Sequence, residues 1–251
     1  MSDLTPVRPQ RSWLDVAGGV TVLAAVAMAF LTPAEQTQGD VARLLYLHVP
    51  AVIAAYLAFA LALVGSIGYL ASRKMRWDHL AVAGAEVGVV FTGLVLVIGM
   101  IWAKPTWGVY WTWTPRLILT AIMFFVYLGY LGLRRAIADP AARARRAAMF
   151  GALSIVQVPI IHFSVLWWRD IHQQTSGLVG PGPLQMDPIL ATTFRISMVS
   201  FVVAGAALVR RRLLLARIEH AVETAVMAGA GEVAGSGVAA PKLDLIDEGA
   251  S

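Results

Sequence analysis

Six long apolar segments constrain this chain more than any other feature of its sequence. Each is long enough to cross the hydrocarbon core of a bilayer, which takes about 20 mostly apolar residues in a helix. The 251 residues are 58% hydrophobic and only 14% charged, whereas soluble domains average about 25% charged residues. The segments therefore predict an all-α, polytopic membrane protein with a bundle of six transmembrane helices. They lie near residues 14–31, 44–71, 80–102, 115–133, 147–168 and 189–209.

The basic residues predict how this bundle is oriented. Fifteen of the 20 lysines and arginines fall in the N-terminus, the second and fourth loops, and the C-terminal tail. Because cytoplasmic loops carry the excess of basic residues, we expect both termini in the cytoplasm and the protein in the bacterial inner membrane. These charges also suit anionic lipid headgroups. Their position beside the spans argues against a nucleic-acid partner, despite a net charge of +5.

Composition also sets the domain organisation and excludes several functions. Residues 1–227 are predicted to form one membrane domain, and the Gly- and Ala-rich residues 228–251 a disordered cytoplasmic tail. The chain has no cysteine, which excludes thiolate metal sites and haem attached through a thiol. It shows no phosphate-binding glycine loop, no Ser-His-Asp set and no HExxH motif. We therefore expect no catalytic residue and no ATPase activity in this chain.

The loop between the third and fourth spans, WGVYWTWTPRL (107–117), is the most unusual stretch. Trp and Tyr commonly form belts at membrane interfaces, and this explains Trp13, Trp77 and Trp102. The loop crowds four rings together, and no charged residue lies between Pro105 and Pro115. Two interpretations have equal support from the residues. One is an interfacial belt, and the other is a helix lying flat in the outer leaflet that presents its rings to a flat apolar ligand.

Two histidines flank this loop on the predicted outer side. His48 lies in the first turns of the second span, and His172 lies one turn past the fifth. A single interfacial histidine is usually a solvated side chain, but two on separate helices beside aromatic rings can ligate haem iron. His162 lies ten residues before His172 and about 15 Å deeper at the helical rise. Cations for the haem propionates are available on the same side, at Arg43, Lys104, Arg116 and Arg169.

The third span contains an acid and a glycine pattern that need explanation. Glu86 is expected to be protonated or paired with a group on another helix, because an ionised carboxyl in lipid is costly. Gly84 and Gly88 match a small-xxx-small pattern, which predicts close helix packing.

Three segments together resemble the CcmC family, the six-span haem-handling membrane proteins of System I cytochrome c maturation. They are YLHVPA (46–51), KPTWGVYWTWTPRL (104–117) and PIIHFSVLWWRDIHQ (159–173). The second resembles the family's tryptophan-rich periplasmic WWD-type core, WG-x-x-W-x-W-D. The resemblance covers nearly all of residues 14–210, including the span count and the order of histidine, tryptophan loop and histidine.

The resemblance implies a site and a function. It implies His48 and His172 as axial ligands of non-covalent haem b. It also implies a haem platform with Arg116 beside it. The platform is formed by Trp107, Gly108, Trp111 and Trp113. Such a protein holds haem at the periplasmic face and presents it to the haem chaperone CcmE, without turnover of its own. The other implied partners are the small membrane protein CcmD and the CcmA–CcmB ABC unit.

One departure from the family pattern stands in the loop, and one alternative function stays open. Thr114 occupies the position of the family's Asp, so the Thr114 hydroxyl or Asp170 would have to take over its role. The alternative is a permease subunit of an ABC transporter, with the tryptophan loop serving only as a belt. Such a subunit needs a polar path through the bundle, and the centres of these spans are nearly all apolar.

Overall fold

The computed structural model describes residues 12–168, 171–172 and 186–235. Within these residues the chain forms helices α1 to α7 and a short 3₁₀ helix, Asp40–Leu44, before α2. The α-helices are α1 Trp13–Leu31, α2 Leu45–Ser72, α3 Met75–Trp107, α4 Pro115–Ala136, α5 Pro140–Ser154, α6 Gln157–Trp168 and α7 Pro188–Gly235. Six helical segments are long and apolar enough to cross a membrane, which confirms the predicted all-α polytopic fold.

Local sequence signals explain where several helices begin. Ser12 and Asp15 form a reciprocal capping box at the start of α1, which satisfies two otherwise unpaired backbone N–H groups. The Asp139 carboxylate accepts from the Ala142 N–H, 2.6 Å away, and caps α5. Helices α4 and α5 both start with proline, whose fixed φ suits the first helical position.

Helices α2 and α3 form the tightly packed centre of the bundle. A Cβ on Gly84 would meet the backbone of Ala58 and Ala62, and a Cβ on Gly88 would overlap the ring of Phe59. The Phe59 ring in turn stacks on Tyr127 of α4, with ring centroids 3.9 Å apart. The glycine pattern of the third span therefore does bring two helix backbones into close contact, as predicted.

The fifth predicted span, 147–168, is not one continuous helix. Helix α5 ends at Ser154 and α6 begins at Gln157. The Val158 N–H bonds to the Ile155 carbonyl at 3.0 Å in a tight turn. Pro159 lacks an N–H group, so a continuous helix would lose a backbone hydrogen bond here, which favours the break. The Gln157 amide donates to the Leu119 carbonyl of α4 at 2.9 Å and anchors the break.

The helix of the sixth span continues beyond Val209, through the stretch Arg212–Met227 that the sequence allows as a helical extension. Helix α7 runs through the three arginines at 210–212 to Gly235, so it includes the first eight residues of the predicted disordered tail. Alanine, which has the highest helix propensity, recurs throughout this stretch and favours the extension. The rest of the predicted tail, 236–251, lies outside the described residues.

The bundle has two ends of different composition. The aromatic end carries the segments 32–44 and 108–114 and residues 171–172. The basic end carries the turns 73–74 and 137–139 and the neighbouring part of α7. At the basic end Glu86 pairs with Arg212 of α7, which is one of the two outcomes expected for this acid.

Candidate functional site

The tryptophan loop at the aromatic end is not the flat interfacial helix that was one of the two expectations. Helix α3 continues through Pro105 to Trp107 and then stops at Gly108, which has φ +80°. This left-handed conformation is accessible to glycine at little cost and ends the helix. Thr114 is extended (φ −82°, ψ 153°), the conformation that a following proline favours.

The loop holds its rings at different depths. The indoles of Trp111 and Trp113 meet edge to face, with centroids 6.0 Å apart. Trp111 is partly buried, whereas Trp113 is 81% exposed. The Lys104 ammonium donates to the Gly108 carbonyl at 2.8 Å and lies 5.4 Å from the ring centroid of Tyr110. The loop is thus tied back to α3 while part of its aromatic surface stays uncovered.

His48 lies in the first turn of α2 and faces the end of α3. Its ring meets the indole of Trp102 edge-on, with centroids 5.8 Å apart and planes at 76°. Its Cε1 and Nδ1 lie 3.0 Å and 3.6 Å from the place that a Cβ on Gly99 would take. The edge of the imidazole that carries Nδ1 therefore faces the bare backbone of α3.

His172 reaches the same end of the bundle from the segment after α6. Its ring meets the indole of Trp107 edge-on, with centroids 5.0 Å apart. His48 lies within electrostatic range of both His172 and Arg116. The structure therefore brings both predicted histidines, the tryptophan loop and Arg116 to one end of the bundle. The remaining histidine pair, His79 and His220, lies at the basic end, with ring centroids 5.3 Å apart.

Arg116 joins α4 to α6 at the site. It is the second residue of α4, and its Nη2 donates to the backbone carbonyl of His162 at 2.8 Å. Tyr56 of α2 also lies within electrostatic range of Arg116. Part of the guanidinium is thus directed into the bundle, toward α6, the helix that leads to His172.

Several buried polar atoms at the aromatic end lack a hydrogen-bond partner among the described residues. They include Arg43 Nε, His48 Nδ1, Trp111 Nε1, Thr112 Oγ1 and Thr114 Oγ1, although the His48 ring also lies close enough to the Val95 backbone to interact with it. Native proteins satisfy about 90% or more of such atoms, so each exception needs an explanation. A cluster of such atoms beside two imidazoles fits a site that is completed by a bound molecule. That molecule could be an aromatic ligand with polar groups at its edge or a partner protein. The Thr114 hydroxyl holds no other group of the described chain in place of the family's Asp, and Asp170 lies outside the described residues.

Sequence reasoning missed one aromatic residue of this site, Trp102. It was assigned to the interfacial belt, yet its indole contacts His48, and its Nε1 donates to Gln38 Oε1 at 2.9 Å. The signal was present in helical spacing. Val95, whose backbone also lies against His48, is followed by Gly99 and Trp102 at intervals of four and three residues, which puts the three on one face of α3.

Comparison with known proteins gives consistent matches over most of the chain. Residues 5–227 match the model of the CcmC family, described as "Heme exporter protein C". The protein of that name from Escherichia coli (strain K12) is 35% identical over 204 residues, covering 80% of this chain and 81% of the relative. The one from Bradyrhizobium diazoefficiens is 32% identical over 210 residues, or 82% and 80% of the two chains. A "putative cytochrome c biosynthesis ccmC-like mitochondrial protein" from Marchantia polymorpha is 33% identical over 157 residues, or 62% and 66%.

Proposed function

The chain belongs to the CcmC family of heme exporter proteins, and on that basis we propose that it binds haem at the aromatic end and presents it to the periplasmic chaperone CcmE. The names of the relatives support a role in haem handling for cytochrome c maturation. In this proposal the chain is a multi-pass protein of the bacterial inner membrane. It has no turnover of its own and works with a separate ABC ATPase.

The approach of two imidazoles, one from α2 and one from the segment after α6, carries this proposal. His48 and His172 interact electrostatically at one end of the bundle, and each has an indole against its ring. Haem iron takes two axial ligands, and neutral imidazole is a common one. Because the Nδ1 edge of His48 faces α3, its Nε2 is the nitrogen left for the iron. In this proposal His48 and His172 would hold the iron of non-covalent haem b.

The loop supplies the surface for the porphyrin in this proposal. Trp107, Trp111 and Trp113 offer indole faces, and aromatic rings pack favourably in offset or edge-to-face contacts. Trp113 is 81% exposed, and a flat apolar cargo would cover it. Gly108 allows the sharp turn that starts the loop, and Arg116 holds α4 against α6 below it. Polar groups of the haem edge would give the unpaired atoms at Trp111, Thr112 and Thr114 their partners.

Orientation and partners follow from the same arrangement. Most of the basic residues lie away from the aromatic end, which favours a periplasmic position for that end. The exposed rings of Tyr110 and Trp113 then leave one side of the site within reach of CcmE. We further propose CcmD and the CcmA–CcmB ABC unit as partners within the membrane.

The permease alternative has less support from the core. A translocation path would need polar groups along the centre of the bundle. At the level of Phe59 the contact between α2, α3 and α4 is instead apolar, since this ring packs on Gly88 and stacks on Tyr127. Both glycine contacts of α3 leave no room between α2 and α3 for a hydrophilic substrate.

Absorption spectroscopy of the protein purified from haem-replete cells tests the proposed function. We expect a Soret band and split visible bands of low-spin, bis-histidine haem in the wild type. His48→Ala and His172→Ala should each lose haem or shift the spectrum toward a high-spin form. His79→Ala and His220→Ala, at the basic end, are matched controls that should keep the wild-type spectrum. An unchanged spectrum in both of the first two variants would remove the ligand assignment.

A transfer assay tests the second half of the proposal. Haem-loaded protein mixed with purified CcmE should lose its haem to the chaperone, where it becomes covalently attached. The Trp113→Ala protein, loaded to the same extent, should transfer at an altered rate because the exposed side of the site has changed. Loaded wild-type protein that keeps its haem under these conditions, with functional CcmE present, would contradict presentation.

A further inference from the structure

We propose that Gly99 and Trp102 of α3 are positioning residues for His48, and that they fix the plane of the imidazole and direct Nε2 into the haem site. The inference rests on the proposed function, since the purpose of the orientation is iron ligation. It concerns residues outside the tryptophan loop and outside the two histidines. Neither residue is proposed to touch the iron.

Gly99 sets how closely His48 can approach α3. A Cβ at this position would lie 3.0 Å from His48 Cε1 and 3.6 Å from Nδ1. The first of these distances is shorter than ordinary van der Waals contact between carbon atoms, which is about 3.5–4.0 Å. Any side chain larger than hydrogen would therefore push the imidazole away from α3 or rotate it. The absence of a side chain at Gly99 is what lets the Nδ1 edge of His48 lie on the helix.

Trp102 fixes the remaining freedom of the ring. Its indole meets the imidazole edge-on at 5.8 Å between centroids, with the planes at 76°. Gly99 contacts one edge of His48, and Trp102 contacts it from one turn further along the same helix. Two contacts in different directions define the plane of a ring that one contact would leave free to rotate about χ2.

The position of Trp102 is itself supported from the segment between α1 and α2. Its Nε1 donates to Gln38 Oε1 at 2.9 Å. The turn that carries Gln38 is held by Glu35, whose carboxylate accepts from the N–H groups of Thr37 and Gln38 at 2.9 Å and 2.6 Å. A chain of contacts thus runs from this turn through Trp102 to His48. Because Gln38 is exposed, its contribution should be the smallest of the three.

Groups that orient a metal ligand typically change metal affinity by about 10–100-fold when removed. We expect Gly99→Ala and Trp102→Ala each to raise the haem dissociation rate about tenfold. Both should also shift the principal g-values in the electron paramagnetic resonance spectrum of the ferric haem, because these depend on the orientation of the axial imidazole planes. Trp102→Phe should show a smaller effect, and Gln38→Ala a smaller one again.

Matched controls separate positioning from general damage to the membrane fold. Gly129→Ala adds a methyl group in α4 where no atom of the described residues lies within 4 Å, and Trp13→Phe alters an indole that is 79% exposed. Both should keep the wild-type g-values and dissociation rate. Since alanine has a higher helix propensity than glycine, Gly99→Ala is not expected to disrupt α3.

A double-mutant cycle shows whether Gly99 acts through His48. In a His48→Gly background, imidazole added to the solution can replace the missing ligand. Because this imidazole has no covalent link to α2, its orientation does not depend on the position of residue 48. Gly99→Ala should weaken haem binding strongly with His48 present and have little effect in the imidazole-rescued background. An equal loss in both backgrounds would show a structural effect alone and would overturn the inference.

The outcomes distinguish this inference from the proposed function. If the wild type shows no bis-histidine haem, or His48→Ala leaves the spectrum unchanged, the proposed function fails and the positioning role fails with it. If the wild-type and His48→Ala spectra are as expected, but Gly99→Ala and Trp102→Ala match the wild type in g-values and dissociation rate, only the positioning role is overturned.

Discussion

The two ends of this helical bundle satisfy their polar groups in different ways. At the basic end acids from one helix pair with arginines from another, as in Asp78 with Arg134, 2.6 Å apart, and Glu223 with Arg143, also 2.6 Å. At the aromatic end several buried polar atoms of the loop and of His48 have no partner in the described chain. The contrast is one of degree. Ser66, His79, Tyr130 and His220 each keep one such atom toward the basic end, and Arg43 pairs with Asp40 at the aromatic end, 2.9 Å apart.

This difference indicates that the two ends of the bundle have different roles. Ion pairs across helices fix the bundle without any further molecule. Buried donors and acceptors without partners are costly, and a protein keeps them where a ligand or another chain completes the structure. The basic end is therefore interpreted as the structural end and the aromatic end as the binding end. Substitutions at the two ends test whether the structural and binding roles are separate.

The largest expected effect is on stability, from breaking the Asp78–Arg134 pair. Both side chains are nearly buried, and two hydrogen bonds of 2.6 Å and 2.7 Å join them. Asp78→Ala leaves a buried arginine without its partner, which typically costs about 3–5 kcal/mol. Unfolding of the purified protein in detergent should show this loss. The remaining folded protein should bind haem with wild-type affinity, and a selective loss of haem affinity without loss of stability would break the proposed separation.

A smaller effect is expected at Arg116, which lies between the structural and binding roles. Arg116→Ala removes the hydrogen bond to the His162 carbonyl, and bonds to charged groups contribute about 1.5–3 kcal/mol. We expect a decrease of that order in the free energy of unfolding, together with weaker haem binding because α6 leads to His172. Parallel unfolding and haem titrations measure both. Loss of only one of the two properties would assign Arg116 to a single role.

Trp113 should show the opposite pattern to Asp78. Its side chain is 81% exposed, and substitutions at such sites usually change stability by no more than about 0.5 kcal/mol. Loss of its contact with haem should cost about 1.4 kcal/mol, or about tenfold in affinity. Haem titration and unfolding of Trp113→Ala measure the two effects. If this variant loses stability but keeps its haem affinity, the ring belongs to the fold and not to the site.

The smallest effect concerns pH and the turn that carries Gln38. Hydrogen bonds from the backbone N–H groups of Gln38 and Thr37 hold the pKa of Glu35 below its ordinary value of 4.5. A carboxyl with a lowered pKa stabilises the fold above its unfolded-state pKa, and that contribution is lost as the pH falls through the lowered value. The turn should therefore be intact at neutral pH and loosen only below 4.5.

Amide hydrogen exchange of Thr37 and Gln38 measures this loosening. After correction for the intrinsic pH dependence of exchange, the protection of these amides should decrease in the wild type as the pH falls below 4.5. In Glu35→Gln the protection of these amides should already be weaker at neutral pH, and it should not decrease further as the pH is lowered. Equal protection in the two proteins at neutral pH would show that the carboxylate does not hold the turn.

The sequence predicted the span count and the helices well, because apolar length is a strong and local signal. It predicted poorly where the backbone departs from a regular helix. The break before Gln157 depends on Pro159 and on an amide contact to α4, and the end of α3 depends on the left-handed Gly108. The contact between Glu86 and Arg212 joins residues 126 positions apart, and no local pattern specifies such a pairing.

For the candidate site, the sequence indicates which residues to propose and does not indicate how they are arranged. Both histidines and the tryptophans are identifiable because their residue types are rare and their order is distinctive. Trp102 was missed because a tryptophan at a span end is expected as part of an interfacial belt. Its contact with His48 appears only when α2 and α3 are packed together, and that packing depends on glycines deeper in the bundle.

A cryo-electron microscopy structure of the haem-loaded protein tests the central claim most directly. A bound antibody fragment or partner protein would aid particle alignment. We predict one porphyrin at the aromatic end, with its iron bound to His48 Nε2 and to a ring nitrogen of His172, and with the indoles of Trp111 and Trp113 against the macrocycle. A porphyrin bound elsewhere, or one at this end whose iron is bound to neither imidazole, would contradict the account.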